Sequence, residues 1–222
     1  MLASLVLLLF FLYPLVGTYG DPGILLNVFV LITFLVSLRA IASNQRMVRV
    51  LILLALPMFA ARIWASVSPD TMSLVVYSVL NTLFLVAVLI TCLTRVLDQS
   101  PVNEDKIMGA LCVYILIGVI FSFVYEITYI FDPNSIDLGT EFAASVDPQQ
   151  FWVFTYFSFV TLTTLGYGDV LPVAPFARSM ATLEAVLGPL YLAILIARLV
   201  SLADLTSPAA RPSKDPNRPA DT

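Results

Sequence analysis

The sequence predicts an all-α integral membrane protein in which each subunit has six transmembrane helices and one shorter re-entrant helix. Composition is the first indication: hydrophobic residues make up 59% of the 222 residues and charged residues only 12%, whereas soluble domains have about 45–50% and about 25%. Apolar runs are the second, because stretches of about 20 residues, the length that crosses a bilayer, recur along the chain. Six such spans occupy nearly all of it. We therefore expect no separate soluble regulatory domain.

The charged and metal-ligating residues exclude several function classes. The chain has 11 Lys and Arg, 15 Asp and Glu, and no His. Its net charge of −4 argues against binding nucleic acid. Without His, neither a His-containing zinc site nor a His-based catalytic triad can form. Cys92 and Cys112 lie in apolar runs and are predicted to be buried thiols rather than a disulfide. We expect no enzyme and no organic cofactor.

Each apolar run justifies one span. The first run is closed by the turn-forming residues Asp21 and Pro22. A cleaved signal peptide is the competing interpretation of this run, but no basic residue precedes it and no clear cleavage site follows it. Polar clusters and prolines separate the other runs. The predicted spans are residues 2–18, 23–42, 47–67, 72–97, 107–130 and 176–205.

A further apolar run, residues 151–165, is too short to cross a bilayer comfortably. A re-entrant segment fits that length better. Residues 147–150, Asp-Pro-Gln-Gln, place an acceptor at the N-cap, proline at N1 and glutamine at N3. These residues predict a helix that runs inward from the outer membrane surface. Its carbonyl end, near Thr163, attracts a cation towards the membrane centre.

The basic residues predict the orientation of the chain in the cell membrane, because short cytoplasmic loops retain Lys and Arg. With both termini cytoplasmic, only Arg62 and Arg178 fall on the outer side. The re-entrant segment then faces outwards. The residues placed on the cytoplasmic side are Arg39, Arg46, Arg49, Arg95, Lys106, Arg198, Arg211, Lys214 and Arg218.

The re-entrant run ends in Thr-Thr-Leu-Gly-Tyr-Gly-Asp, residues 163–169. These residues resemble the selectivity filter of the potassium channel family, T-x-G-Y-G followed by Asp. The resemblance implies that the filter is residues 164–168 and that Asp169 lies at the outer mouth. It also implies K⁺ ions bound by main-chain carbonyls and by the Thr164 hydroxyl. The metal-binding carbonyls are those of Thr164, Leu165, Gly166 and Tyr167, and Gly168 completes the filter.

One copy of this motif supplies only a quarter of a filter. The family surrounds the dehydrated ion with carbonyls from four strands, so the resemblance implies a homotetramer in which copies of the chain are each other's partners. Gly166 and Gly168 permit the alternating backbone signs that turn successive carbonyls towards one axis, because glycine reaches positive φ at little cost. Leu165 stands where Val or Ile is commoner, and its lack of β-branching loosens the local backbone.

Residues around the filter are expected to support it. Tyr167 is predicted to point away from the pore and to pack against Tyr156 and Phe157. Glu184, an acid within a predicted span, is a functional candidate because such groups are costly in a membrane. It either braces the pore helix through a hydroxyl such as Thr161 or Thr163, or is a protonated packing residue.

The last span carries the expected gate. Gly188 and Pro189 lie where the family's inner helix often has its hinge, and proline alone predicts a bend. A permanent kink without gating is the alternative. Residues that recur beyond it at helical spacing are predicted to line the inner pore, although ordinary helix packing gives the same spacing. They are Leu192, Ala193, Ile196, Ala197, Val200 and Ser201.

The first four spans lack the regular Arg or Lys of a voltage-sensing helix. We expect a scaffold bundle that packs beside the pore helices of its own subunit, as in a compact prokaryotic six-span channel. The predicted domains are the bundle at 1–97, a cytoplasmic connector at 98–106, the pore domain at 107–205 and a disordered tail at 206–222.

The predicted function is passive potassium conduction by a homotetramer among membrane lipids, with the opening stimulus left open. A weakly selective cation channel of the same architecture is the first alternative, because of Leu165. A subunit of a potassium uptake transporter is the second. Those transporters resemble fused repeats with four degraded filters in one chain, whereas this chain carries one intact motif.

Overall fold

The computed structural model describes residues 45–68, 70–98, 104–139 and 151–206. The predicted spans at 2–18 and 23–42, the helix start at 147–150, most of the connector and the tail from 207 lie outside the described residues. The elements in chain order are α1 (Gln45–Val67), α2 (Thr71–Val96), α3 (Glu104–Phe131), β1 (Ile136–Asp137), α4 (Phe151–Leu162), β2 (Leu171–Pro172) and α5 (Pro175–Thr206).

Four of these helices are long and apolar enough to cross a membrane. The apolar stretches are Arg49–Val67, Thr71–Val96, Lys106–Phe131 and Pro175–Arg198, which coincide with the last four predicted spans. The shorter apolar helix Trp152–Leu162 lies within the predicted re-entrant run. The described part is therefore a predominantly helical, multi-span membrane protein. The count of six spans stays a prediction.

A tight turn joins α1 to α2. The Ser73 hydroxyl lies 2.7 Å from the carbonyl oxygen of Ser68 and accepts a hydrogen bond from the backbone N–H of Asp70 at 3.2 Å. Asp70 is the N-cap of α2. The hydrogen bond with the Ser73 side chain holds the pKa of the Asp70 carboxyl below its usual value. The turn makes the two helices an antiparallel pair.

Two hydrophobic clusters meet at α3. The first joins α1, α2 and one face of α3, with Leu51, Phe84 and Leu116 among its buried members. Small residues of α1, such as Ala55, allow the close helix approach that is common in membranes. The α1–α2 pair thus packs on α3 of its own chain. The second cluster joins Phe121 and Tyr125 on α3 to α4 and to the start of α5, and contains Phe154, Phe157 and Ala177.

The two cysteines are free, as predicted: Cys112 is buried and Cys92 is partly buried. Neither contributes a cross-link between the helices. Packing and hydrogen bonds therefore have to hold the described helices together.

Two short strands connect the segments on either side of α4. β1 pairs antiparallel with β2, so that Ile136 lies opposite Pro172 and Asp137 opposite Leu171. The backbone N–H groups of Val173 and Ala174 add hydrogen bonds to the Ser135 carbonyl at 2.8 and 3.0 Å. The segment before α4 is thereby fastened to the segment that follows residue 169.

Candidate functional site

The backbone of residues 164–168 alternates in handedness. Thr164, Gly166 and Gly168 have φ of 58°, 60° and 80°, whereas Leu165 and Tyr167 between them have negative φ. Alternation of this kind turns successive carbonyl groups towards the same side of the chain. A Cβ added at Gly166 or Gly168 would meet nothing within 4 Å. Within this chain, then, the conformation and not crowding calls for glycine at these two positions.

The helix α4 ends in hydrogen bonds that commonly end at a glycine. The N–H of Thr164 donates to the Thr161 carbonyl at 2.9 Å, and the N–H of Leu165 donates to the Val160 carbonyl at 2.9 Å. This is the Schellman pattern, whose left-handed residue is here Thr164. Positive φ is strained for a β-branched side chain. The chain therefore keeps a threonine, with its hydroxyl, where glycine is energetically easier.

Tyr156 connects α4 to two residues of the predicted filter region. Its ring stacks on that of Tyr167, with centroids 6.4 Å apart and planes 8° from parallel. Its hydroxyl donates to Asp169 Oδ2 at 2.5 Å. Phe157, also predicted to support Tyr167, instead packs edge-on against Tyr125 at 4.7 Å. Tyr156 is thus the aromatic residue of α4 that contacts Tyr167 and Asp169, and Phe157 belongs to the contact between α3 and α4.

The backbone of Asp169 is approached closely from the β1 side. Gly139 has φ of +69°, and a Cβ added there would lie 2.6 Å from the Asp169 carbonyl oxygen. Here glycine is needed both for its conformation and for space. The paired strands therefore bring residue 139 directly against the residue that ends the motif.

Glu184 is fully buried, with 0% of its surface exposed. Its Oε1 lies 2.5 Å from Ser158 Oγ on α4, and its Oε2 accepts from the Tyr125 hydroxyl on α3 at 2.6 Å. The prediction that Glu184 contacts α4 through Thr161 or Thr163 was wrong, because the hydroxyl that contacts it is that of Ser158. The Thr163 hydroxyl donates to the Phe159 carbonyl of its own helix at 2.7 Å.

A shared register explains this correction. Glu184 and Ser158 are 26 residues apart in the chain, as are Gly188 and Leu162, which are also in contact. Equal separations mean that α4 and α5 run side by side in the same direction. Ser158 is consequently level with Glu184, whereas Thr161 and Thr163 lie nearer the level of Gly188.

Gly188 lies against the last residue of α4. A Cβ added at this position would lie 2.1 Å from the Leu162 carbonyl oxygen, which no neighbour can accommodate without moving. The α-helix α5 continues through Gly188 and Pro189. Close packing is thus one physical reason for a glycine here. A hinge at Gly188 and Pro189 stays a prediction.

The C-terminal half of α5 turns one narrow face to its own chain. Tyr191 donates to the Ala110 carbonyl at 2.7 Å and stacks on Tyr114 at 6.2 Å, and Arg198 donates to the Leu97 carbonyl at the end of α2. The predicted pore-lining residues are all exposed within the single chain: Leu192, Ala193, Ile196, Ala197, Val200 and Ser201.

Exposure does not single out these six residues as a lining. Leu190 and Ile194 of the same helix are exposed as well. Which face of α5 lines a pore therefore stays a prediction.

Sequence reasoning missed Tyr125 and Ser158. One signal was available for each: a buried tyrosine needs a partner for its hydroxyl, and Ser158 is a hydroxyl residue one turn before Thr161 on the same helix. Sequence alone does not say which of the hydroxyl residues of α4 lies level with Glu184.

Part of the chain is similar to known ion channels. Residues 109–204 match a protein-family model described as an ion channel. Two curated relatives, potassium voltage-gated channel subfamily A member 10 of Mus musculus and of Homo sapiens, are each 32% identical over 108 residues. That stretch is 48% of this chain, and the chain spans only 19% of the length of these relatives. No solved structure matches the chain significantly.

The matched region contains most of α3, all of α4, the motif and nearly all of α5. Over this region the chain is similar to ion channels, and the two relatives are potassium channel subunits. The similarity is to channel proteins and not to enzymes.

Proposed function

We propose that the chain is one subunit of a homotetrameric, potassium-selective channel, with residues 164–168 of four copies forming the filter. The alternating handedness of these residues carries the proposal, because it directs consecutive carbonyl groups of one chain to one side. Four such ribbons around an axis supply the oxygens that replace the hydration shell of K⁺. The ions pass down their electrochemical gradient without any chemical step.

The neighbouring groups favour a cation at this position. The carbonyl end of α4 points to the start of the ribbon, and the partial negative charge there attracts a cation. Thr164 adds a hydroxyl oxygen at the inner end of the ribbon. At its other end, Asp169 contributes a carboxylate that Tyr156 holds by a hydrogen bond.

The exposed apolar surface supports association with further copies. Leu165 is 55% and Tyr167 66% exposed within the single chain. Both residues come shortly after α4, whose side chains are mostly buried. Large apolar surfaces of this kind mark contacts with other chains or with lipid. A closed four-fold assembly covers the ribbon, and the lipid bilayer covers the outer faces of the helices.

Steep voltage gating is not part of the proposal, although the matched relatives are named as voltage-gated. The helix α2 contains one basic residue, Arg95, in its last turn. Moving several charges through the membrane field is what makes opening steeply voltage-dependent. We assign α1 and α2 the role of a scaffold around the pore domain, with both termini in the cytoplasm.

Flux into liposomes tests this function. Purified protein is reconstituted with K⁺ trapped inside, and uptake of radioactive Rb⁺ is compared with uptake of Na⁺. We expect Rb⁺ uptake well above Na⁺ uptake, and its loss in Gly168→Ala, because alanine is strained at φ of 80°. Gly109→Ala is the matched control, since its methyl group would meet a Val96 side-chain atom at 3.3 Å.

Two results decide against the proposal. Equal uptake of Rb⁺ and Na⁺ supports the weakly selective alternative that Leu165 suggests. A mass in detergent other than that of four chains contradicts the tetramer.

A further inference from the structure

Three buried oxygen contacts form a continuous chain beside α4. Ser158 Oγ lies 2.6 Å from the Gly118 carbonyl oxygen on α3 and 2.5 Å from Glu184 Oε1 on α5. Glu184 Oε2 lies 2.6 Å from the Tyr125 hydroxyl. All three distances are those of O–H···O hydrogen bonds. Each contact therefore needs a proton between its two oxygen atoms.

Counting these protons identifies the state of Glu184. The carbonyl oxygen of Gly118 has no proton, and the hydroxyl groups of Ser158 and Tyr125 supply one each. Three contacts with two hydroxyl protons leave one contact without a proton, and two acceptor oxygens at 2.6 Å repel each other. The remaining group in the chain of contacts is the Glu184 carboxyl, which supplies a proton only as a neutral acid.

We infer that Glu184 is a protonated carboxylic acid that donates to Ser158 and accepts from Tyr125, and that this network positions the pore helix α4 between α3 and α5. Ser158 passes its own proton on to the Gly118 carbonyl. Glu184 is a positioning residue, because it acts on the filter through α4. The positioning role rests on the proposed function, whereas the protonation state does not.

Within the described part of the chain, the groups that act on the Glu184 carboxyl are the hydroxyls of Ser158 and Tyr125, and no charged side chain is among them. The helix α3 presents the phenols of Tyr125 and Tyr114, and α4 has no charged residue in its sequence. On α5, Arg178 donates to the Pro172 carbonyl, beyond the end of the motif. An unpaired buried carboxylate is costly away from water, so the neutral acid is the favoured state.

The position of the network explains its effect on the filter. Ser158 lies less than two helical turns before Thr164, where the ribbon begins. Through Ser158, α4 is tied to α3 at Gly118 and to α5 at Glu184, so it is fixed from both sides. A shift of α4 carries Thr164 and the first carbonyl groups with it.

Three variants of Glu184 test the positioning role in the full-length reconstituted protein. Glu184→Gln keeps a donor for Ser158 and an acceptor for Tyr125, so we expect its ratio of Rb⁺ to Na⁺ uptake to equal that of the wild type. Glu184→Leu leaves the buried Tyr125 hydroxyl without its acceptor and unties Ser158 from α5, and is expected to lower the ratio about tenfold. Glu184→Asp keeps the acid, but its shorter side chain moves the carboxyl away from Ser158 and Tyr125. We expect an uptake ratio between those of Glu184→Gln and Glu184→Leu. A ratio for Glu184→Asp above that for Glu184→Gln overturns the inference.

Serine variants separate the network from ordinary helix stability. Ser158 and Ser122 are both fully buried, and both hydroxyls lie within hydrogen-bond distance of the Gly118 carbonyl. Of these two serines, only Ser158 also contacts Glu184. We expect Ser158→Ala to lower the uptake ratio and Ser122→Ala to leave it unchanged. Equal effects of the two variants contradict the positioning role.

Infrared spectroscopy tests the proton directly. The difference spectrum between wild type and Glu184→Gln at neutral pH is expected to contain the C=O band of a protonated carboxylic acid, which shifts in ²H₂O. A carboxylate band in its place overturns the protonation state. This measurement needs no ion flux. An acid band in a protein without selective uptake therefore leaves the protonation state standing while the proposed function fails.

Discussion

The two halves of α5 differ in how they are held. Its N-terminal half is held at two levels: Glu184 joins Ser158 on α4 and Tyr125 on α3, and Gly188 lies directly against the Leu162 carbonyl. Its C-terminal half meets the rest of the chain through Tyr191 and Arg198, while most of its apolar side chains are exposed. One helix thus combines a part fixed beside the motif with a part that has fewer contacts within the chain, where the sequence predicts a gate.

Enlarging Gly188 is expected to have the largest effect on this difference. In Gly188→Ala the new Cβ lies 2.1 Å from the Leu162 carbonyl oxygen, and relief requires α5 and α4 to separate. Overpacking of this kind costs about 1–3 kcal/mol. We expect a lower Tm and loss of selective Rb⁺ uptake. Gly109→Ala, which faces a side-chain methyl at 3.3 Å, is the control and is expected to retain both.

The same variant distinguishes packing from hinge motion. If Gly188 served only as a hinge, its substitution by alanine would change channel opening without changing the Tm. An unchanged Tm in Gly188→Ala therefore contradicts the packing role and supports the hinge.

Removing the Tyr156 hydroxyl is expected to have the next largest effect. Tyr156→Phe keeps the stacking on Tyr167 and loses the 2.5 Å hydrogen bond to Asp169. A hydrogen bond to a charged group contributes about 1.5–3 kcal/mol, and less at a site open to water. We expect current that declines faster during sustained conduction, recorded in planar bilayers. Tyr129→Phe, whose ring packs on Phe154, is the matched control. Equal decline in both variants contradicts the role of the bond.

Changes in the C-terminal half of α5 are expected to be smaller and of another kind. Tyr191→Phe removes one hydrogen bond to the Ala110 carbonyl, worth about 1 kcal/mol. Because this hydrogen bond joins α5 to α3 and not to α4, we expect a changed open probability and an unchanged reversal potential in single-channel recordings. A changed reversal potential shows that the two halves of the helix are not separate in function.

The smallest effect is expected within the filter itself. Leu165→Val introduces β-branching, which stiffens the local backbone, and leaves all carbonyl oxygens in place. We expect a modest gain in the preference for K⁺ over Na⁺, measured from reversal potentials with the two ions on opposite sides. A loss of preference shows that leucine is the better residue for this ribbon.

The sequence predicted what short-range patterns encode. The four apolar helices of spanning length, the shorter apolar helix α4 and the positive φ of Gly166 and Gly168 all follow from hydrophobicity or from local motif. The stacking of Tyr156 on Tyr167 was also anticipated. Each of these features depends on residues that are close together along the chain.

Long-range pairings were not predictable from one sequence. The partner of Glu184 depends on the register between α4 and α5, and the antiparallel pair β1–β2 is too short to leave a periodic pattern. Positive φ at Thr164 contradicts the preference of its residue type. Such a conformation is set by the end of α4 and by the requirement for a ribbon, not by local propensity.

The reversal potential of the purified wild-type protein, with K⁺ on one side of a planar bilayer and Na⁺ on the other, tests the central claim most directly. We propose that peptide oxygens from four copies of residues 164–168 select K⁺, so we expect a reversal potential displaced far towards the potassium equilibrium potential. A value near zero, with equal passage of both ions, contradicts the account.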